Sequence, residues 1–196
     1  MSGYLEIVFG PMFSGKTTLL LEKINNYITY STIKKYDKKI LIINNILDTR
    51  KNSASNKLTT HKSFLKRNLE SSFISSIKVK NLSDIDEDFI DNYDYIAIDE
   101  CQFFEDLEEK VKDWLVKDKY IYCTGLISDS EKNIFGHLHK LFSKADNIEQ
   151  LKAYCVNCNS YIKNAVFTKW INSKNKDSPV EIGGSDNYVP VCGRHY

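Results

Sequence analysis

Neither sign of charge is in excess: 27 Lys and Arg stand against 26 Asp and Glu, a formal net charge of +1. That balance removes the electrostatic case for nucleic-acid or membrane binding. No run reaches the roughly 18 to 20 apolar residues that a membrane span needs. The opening MSGYLEIVFG has neither a basic start nor a long apolar stretch, so no secretory leader is expected and the chain reads as cytoplasmic. Proline and glycine are scarce, at 3 and 8 residues, while Lys, Asn and Ile are frequent. This bias is composition rather than mechanism. Cysteine is limited to five residues. In a reducing compartment, clustered cysteines point to metal more often than to disulfides. The 196 residues, 42% apolar, suffice for one core domain and a small appendage.

Within those bounds the chain alternates strand and helix signals. YLEIVF (4–9) reads as a strand, and TTLLLEKINNYITY from Thr17 as an amphipathic helix with Leu20, Ile24, Tyr27 and Ile28 on one face. KKILIINN (38–45), a short stretch at Ile77–Val79, YDYIAID (93–99) and KYIYCTGL (119–126) read as further strands. Helices are expected over Phe104–Lys117 and Phe135–Phe142, and a long polar loop from Asp48 to Lys62. The pattern predicts an α/β fold, a RecA-like parallel sheet flanked by helices. After about residue 150 the character changes to short strands and cysteine pairs. Two domains are therefore expected, an ATP-binding unit at 1–150 and a small C-terminal zinc-binding unit at 151–196.

The stretch GPMFSGKT, comprising Gly10, Pro11, Met12, Phe13, Ser14, Gly15, Lys16 and Thr17, fits the P-loop pattern in full and lies between a strand and a helix. Glycines allow close backbone approach, and the inward N–H groups bind phosphate oxygens at the helix N-terminus. Lys16 supplies a point charge to the β- and γ-phosphates of ATP, and the Thr17 hydroxyl is a ligand for Mg²⁺. YIAIDE (95–100) delivers Asp99 and Glu100 at the C-terminal end of a buried strand, where open α/β sheets bind ligands. Asp99 suits Mg²⁺. For Glu100 two roles remain open: orienting water, or taking a proton from an acceptor hydroxyl.

Cys155 and Cys158, then Cys192 and His195, form two pairs with two-residue spacing, about thirty residues apart. This is the arrangement of a four-ligand structural zinc site. It would hold a segment too small and loop-rich to build a core of its own. Cys101 and Cys123 fall on or beside buried strands and are expected in the core. His137 and His139 are expected at the surface.

The order GPMFSGKT, DTR (48–50), TH (60–61), IDECQFF (98–104), FG (135–136), the Cys pair, FTK (167–169) and IGGSDNY (182–188) resembles the type II thymidine kinases, from about Ile7 to Tyr196. The resemblance implies an enzyme that moves the γ-phosphate of ATP to the 5′-hydroxyl of thymidine in nucleotide salvage. It makes Glu100 the base, with Lys16 and Arg50 at the transferring phosphoryl group. It places Met12, Phe103, Leu126, Ser130, Thr168 and Tyr188 around the nucleoside. It runs Pro179, Val180, Glu181, Ile182 and Gly183 along the base as a lasso whose ends the zinc anchors. It also implies a homotetramer. Ser130 stands where the family carries a Phe, Cys101 replaces a small residue, Trp170 a basic one, and His195 the last Cys.

Two alternatives stand beside this reading. One is a deoxynucleoside kinase of altered base choice, motivated by Ser130. The other is a RecA-like ATPase whose zinc ribbon binds nucleic acid. The second needs clustered basic residues near the ribbon, whereas Lys152, Lys163, Lys169, Lys174, Lys176 and Arg194 are scattered among acids.

Overall fold

The computed structural model describes residues 3–36, 38–47, 73–171 and 187–196. Arg50, the polar 48–62 loop and the Pro179–Gly183 segment lie outside these described residues. Six strands form one parallel sheet: β1 (Tyr4–Phe9), β2 (Ile40–Asn45), β3 (Ile74–Val79), β4 (Tyr95–Ile98), β5 (Tyr120–Gly125) and β6 (Asn147–Gln150). Their spatial order is β3-β2-β4-β5-β1-β6.

The period-two alternation of each central strand sends its side chains to two separate cores. Leu5, Ile7, Leu41, Ile43, Ile96 and Ile98 face one side. Val8, Ile40, Ile42, Tyr95, Ala97 and Tyr122 face the other. The helix α1 (Lys16–Lys34) covers the second side with Leu20, Leu21 and Ile24, spaced as an apolar stripe requires. A short helix α2 (Glu87–Asp91), the helix α3 (Leu107–Val116) and a 3-10 turn at Leu138–Lys144 lie along the chain beyond β3. From these, Ile90, Leu107, Val111, Trp114, Leu138 and Leu141 fill the first side. Cys101 and Cys123 are fully buried there, as expected.

Three expectations need correction. The helix over Phe135–Phe142 is instead the 3-10 segment Leu138–Lys144. Gly136 at φ 67° turns the chain just before it, and Leu138 and Leu141, both buried, repeat at the three-residue period of a 3-10 turn. His137 and His139 are consequently half-buried, and the His137 ring Nδ1 lies 2.6 Å from the Glu105 carbonyl. Finally, Asn147–Gln150, where the βα pattern was expected to end, is the sixth strand, paired with β1.

Beyond β6 the chain forms an antiparallel pair, β7 (Phe167–Trp170) and β8 (Tyr188–Val191), in register Phe167↔Val191 to Trp170↔Tyr188. Ala153, Cys155, Ala165, Val191 and Cys192 make a small core of their own. Among the described residues, no helix is long and apolar enough to cross a membrane.

Candidate active site and metal centre

The P-loop follows β1 directly and ends in α1. Gly15, the residue before the helix, has φ 96°, and a Cβ added there would meet nothing within 4 Å. Open space thus faces the helix start. Gly15 has no side chain to cap this helix, and uncapped N–H groups of a first turn are the donors a phosphate takes. Lys16 is buried and its ammonium donates to the carbonyls of Gly10 and Pro11, each at 3.0 Å.

At the end of β4, the Asp99 carboxylate accepts from Thr17, Glu100 and Thr124. Oδ2 accepts from the Thr17 hydroxyl at 2.9 Å. Oδ1 accepts from the Glu100 N–H at 3.0 Å and from the Thr124 hydroxyl. The first bond joins residues 82 apart and fastens the sheet's carboxylate edge to the first turn of α1. Hydroxyl and carboxylate side by side are the hard oxygen donors that Mg²⁺ takes. Glu100 is buried beside them in the left-handed region, at φ 53° and ψ 46°.

Among the residues expected around an acceptor, the structure gives each described one a definite place. Phe103 is half-buried and meets Phe135 edge-to-face at 5.7 Å. Leu126 donates its N–H to the Gln102 amide oxygen at 2.9 Å. The Thr168 hydroxyl accepts from the Met12 N–H at 3.0 Å, tying β7 to the P-loop. Tyr188 packs edge-to-face on Trp170 at 4.8 Å. The Ser130 carbonyl accepts from the Tyr196 hydroxyl at 2.5 Å. Phe167 and Tyr196 both contact Lys132, whose ammonium lies 4.4 Å and 3.6 Å from the two rings. Gln102, Thr124 and Phe135 carried no individual expectation. Gln102 and Phe135 lie inside quoted motifs, but Thr124 left no sequence signal beyond a buried strand.

The metal centre is the second cluster. The ligand atoms of Cys155, Cys158, Cys192 and His195 all lie within 4.8 Å of one another. His195 Nδ1 is 3.4 Å from each of the three sulfurs, and the Cys158 and Cys192 sulfurs are 3.7 Å apart. A tetrahedron with Zn–S of about 2.3 Å and Zn–N of about 2.0 Å has edges of roughly 3.5 to 3.8 Å. The four residues therefore fit zinc. The 3.7 Å sulfur separation is far beyond a disulfide bond of about 2.05 Å. Each pair sits on a tight turn, closed by Cys158 N–H to Cys155 carbonyl at 3.2 Å and His195 N–H to Cys192 carbonyl at 3.0 Å. Burial pushes the Cys155 thiol up, but N–H groups of Cys192 and Asn157 and the His195 ring more than offset it, leaving it at about 6. That favours the thiolate a metal needs. By contrast burial, with Cys123 adding to it, pushes the Cys101 thiol well up, in keeping with an inert core residue.

Two open hollows, one by Ile28, Tyr36 and Phe73 and one by Tyr4, Tyr27 and Tyr120, do not include the P-loop or the carboxylate pair. Residues at the N-terminal ends of β1, β2 and β5 line them, so they lie across the sheet from the chemistry.

A family model described as thymidine kinase matches residues 3–196. The chain is 40% identical over 191 residues to a thymidine kinase of Amsacta moorei entomopoxvirus, covering 96% of this chain and 94% of that one. It is 36% identical over 194 residues to thymidine kinase 1 of Dictyostelium discoideum, covering 98% and 77%. It is 32% identical over 192 residues to a thymidine kinase of Fowlpox virus, covering 97% and 95%.

Proposed function

The chain belongs to the thymidine kinase family, and on that premise we propose that it transfers the γ-phosphoryl group of ATP to the 5′-hydroxyl of thymidine, yielding thymidine monophosphate and ADP for DNA precursor supply. The observation that carries this reading is the Thr17–Asp99 bond with Glu100 adjoining it. It joins a phosphate cradle to a buried carboxylate pair at the C-terminal edge of the sheet.

The roles follow from the donors and acceptors present. The backbone of Gly10 to Thr17 receives the phosphates, and Lys16 neutralises charge on the group in flight. Thr17 and Asp99 would hold Mg²⁺, which when bound would supply positive charge to offset that of the phosphates. Glu100 takes the proton of the 5′-hydroxyl as the oxygen–phosphorus bond forms and the bond to ADP breaks, with the electron pair leaving on ADP. Transfer is in line and passes through no covalent enzyme intermediate; positioning and electrostatics carry it. Arg50 reaches the transferring group. Met12, Phe103, Leu126, Ser130, Thr168 and Tyr188 enclose the nucleoside, and Phe135 joins them through its contact with Phe103.

Zinc is structural in this reading, since four protein ligands leave no open position. Supporting this, β7 and β8 pair up to Trp170↔Tyr188, and Ile171 N–H donates to the Asn187 carbonyl at 2.9 Å. The stem of the 172–186 segment is thus closed between the two ligand pairs. Pro179 to Gly183 would run from it along the base. Residues 151–196 form a separate zinc-held unit on the 1–150 ATP-binding domain, consistent with their own small core. A homotetramer and a cytoplasmic location complete the proposal.

A second reading, altered base choice, rests on Ser130. The turn that contains it is held by Tyr196 and Lys132 rather than by a ring of its own.

The test is phosphate transfer from MgATP to each of the four deoxynucleosides, with ATP hydrolysis alone as control. Transfer to thymidine with little hydrolysis supports the first reading, and preference for another nucleoside supports the second. Hydrolysis without transfer to any nucleoside sinks both. Glu100→Gln is expected to keep MgATP binding and lose at least ~100-fold in turnover. Near-normal turnover would remove Glu100 as base.

A further inference from the structure

We propose that Gln102 is a positioning residue that holds the base and the acceptor pocket in one fixed relation. The inference rests on the reading of Glu100 as base and goes beyond it. Gln102 sits in the 3-10 turn Cys101–Phe103 and is 4% exposed. Its amide nitrogen donates to Glu100 Oε2, and its amide oxygen accepts from the Leu126 N–H at 2.9 Å. These two bonds orient the group unambiguously. The Leu126 N–H is a donor and needs the oxygen, so the NH₂ must face the carboxylate.

A buried amide with both ends satisfied is a rigid bridge. It links the end of β4 to the chain leaving β5, across 24 residues of sequence. Its space is reserved by the backbone: a Cβ on Gly125 would stand 2.7 Å from the Gln102 amide oxygen. A carboxylate on a Glu side chain swings through several rotamers, and a hydrogen bond to its charged oxygen is stronger than a neutral one. Held by a group that is itself anchored at Leu126, Glu100 cannot turn without giving up its bond to the Gln102 amide. Any shift of the Leu126 segment, which adjoins the proposed thymine site, moves the base with it. Gln102 thereby links acceptor seating to the readiness of the base.

The contrasting role is that of a gap filler, and substitutions separate the two. Gln102→Glu keeps the size and the acceptor for Leu126 but sets a second carboxylate against Glu100. Gln102→Met keeps the bulk and loses both bonds. Gly125→Ala crowds the amide, and to a lesser degree the Cys101 nitrogen and Leu138, while leaving the Gln102 and Glu100 side chains unsubstituted. All are made in the full, zinc-loaded protein, alongside Glu100→Gln. For Gln102→Met we expect a kcat loss of ~10- to 100-fold, the scale of misplacing a catalytic group by about 1 Å. The KM for thymidine rises, while the KM for ATP and the affinity for MgADP stay within about 2-fold. Gln102→Glu loses at least as much kcat as Gln102→Met, and Gly125→Ala moves in the same direction. A gap filler instead leaves Gln102→Met close to wild type, since the bulk is kept, while Gln102→Glu still loses activity through its like charge beside Glu100. Unchanged kcat in Gln102→Met therefore overturns the inference, whatever Gln102→Glu does. So does loss of MgADP binding in Gln102→Met, which would make the residue one of general folding. If Glu100→Gln itself stays active, the base reading falls. If it is inactive while the Gln102 variants are not, the inference about Gln102 alone falls.

Discussion

Thr168→Val tests whether the zinc-held unit supports the phosphate loop. The two side chains are nearly identical in shape, so packing against the 5%-exposed Thr168 site is preserved. What disappears is the acceptor for the Met12 N–H, now 3.0 Å away. An N–H left without a partner away from water costs about 1–3 kcal/mol. If the whole penalty fell on the ATP-competent form of the loop, affinity would drop roughly 5- to 150-fold, since 1.4 kcal/mol is tenfold. Met12 is only half-buried, so water relieves part of the loss. The lower end, roughly 5- to 10-fold, is therefore expected. Thr168 is also proposed to face thymidine, so steady-state rates alone would mix two effects. The decisive assay is titration with MgATP or MgADP without thymidine, with zinc content measured on the same sample. Thr168→Ser keeps the hydroxyl and should bind nucleotide as the wild type does. Unchanged nucleotide affinity in zinc-replete Thr168→Val would refute the coupling and leave Thr168 to the acceptor pocket alone.

Two further perturbations act at a distance from the reacting groups. Replacing Cys158 by Ser, or removing zinc with a chelator, should raise the KM for thymidine and weaken MgATP, because β7 carries Thr168 and begins nine residues beyond Cys158. Zinc-free protein with both constants unchanged would refute the metal's anchoring role. Glu87 accepts from Lys110 at 2.8 Å and Lys117 at 2.9 Å, joining α2 to α3. These bonds lower its carboxyl below the ordinary value of 4.5. A lowered folded value means the stabilisation is complete above about 4.5 and is lost as pH falls through the lowered value. Glu87 itself is well exposed, at 41% of its side chain, so Glu87→Gln should cost only ~0.5 kcal/mol at neutral pH and low salt. Urea midpoints of wild type and variant should converge in acid, and a gap that persists there would contradict the ion-pair account.

Local patterns were legible and distant pairings were not. The strand, P-loop and helix at Tyr4–Lys34 follow one another in the chain, so glycine placement and apolar spacing identify them together. The four metal ligands needed only their spacing, because each pair makes its own turn. Asp99 and Glu100 were visible as acids closing a buried run. The strand Asn147–Gln150 was missed because it is an edge strand, mostly exposed and polar, without the apolar run of its neighbours. The helix α2 spans five residues, too few for a period to show. Gln102 and Thr124 could not be assigned because their partners, Leu126 and Asp99, are 24 and 25 residues away. Only the register of β4 beside β5 brings those pairs together.

That register also explains the backbone at Glu100. A non-glycine residue at φ 53° costs on the order of 1–3 kcal/mol and persists where its surroundings over-determine it. Here three bonds do so. The Glu100 N–H donates to Asp99, the Phe103 N–H donates to the Glu100 carbonyl at 3.1 Å, and Gln102 holds the carboxylate. An extended conformation would continue β4 and send alternate side chains to opposite faces of the sheet. The left-handed turn ends the strand instead, so consecutive acids both stay at its C-terminal edge. Asp99 faces the phosphate loop through Thr17, and Glu100 faces Gln102 and the segment at Leu126. One strained residue thus divides two neighbouring carboxylates between the two substrates of the proposed reaction.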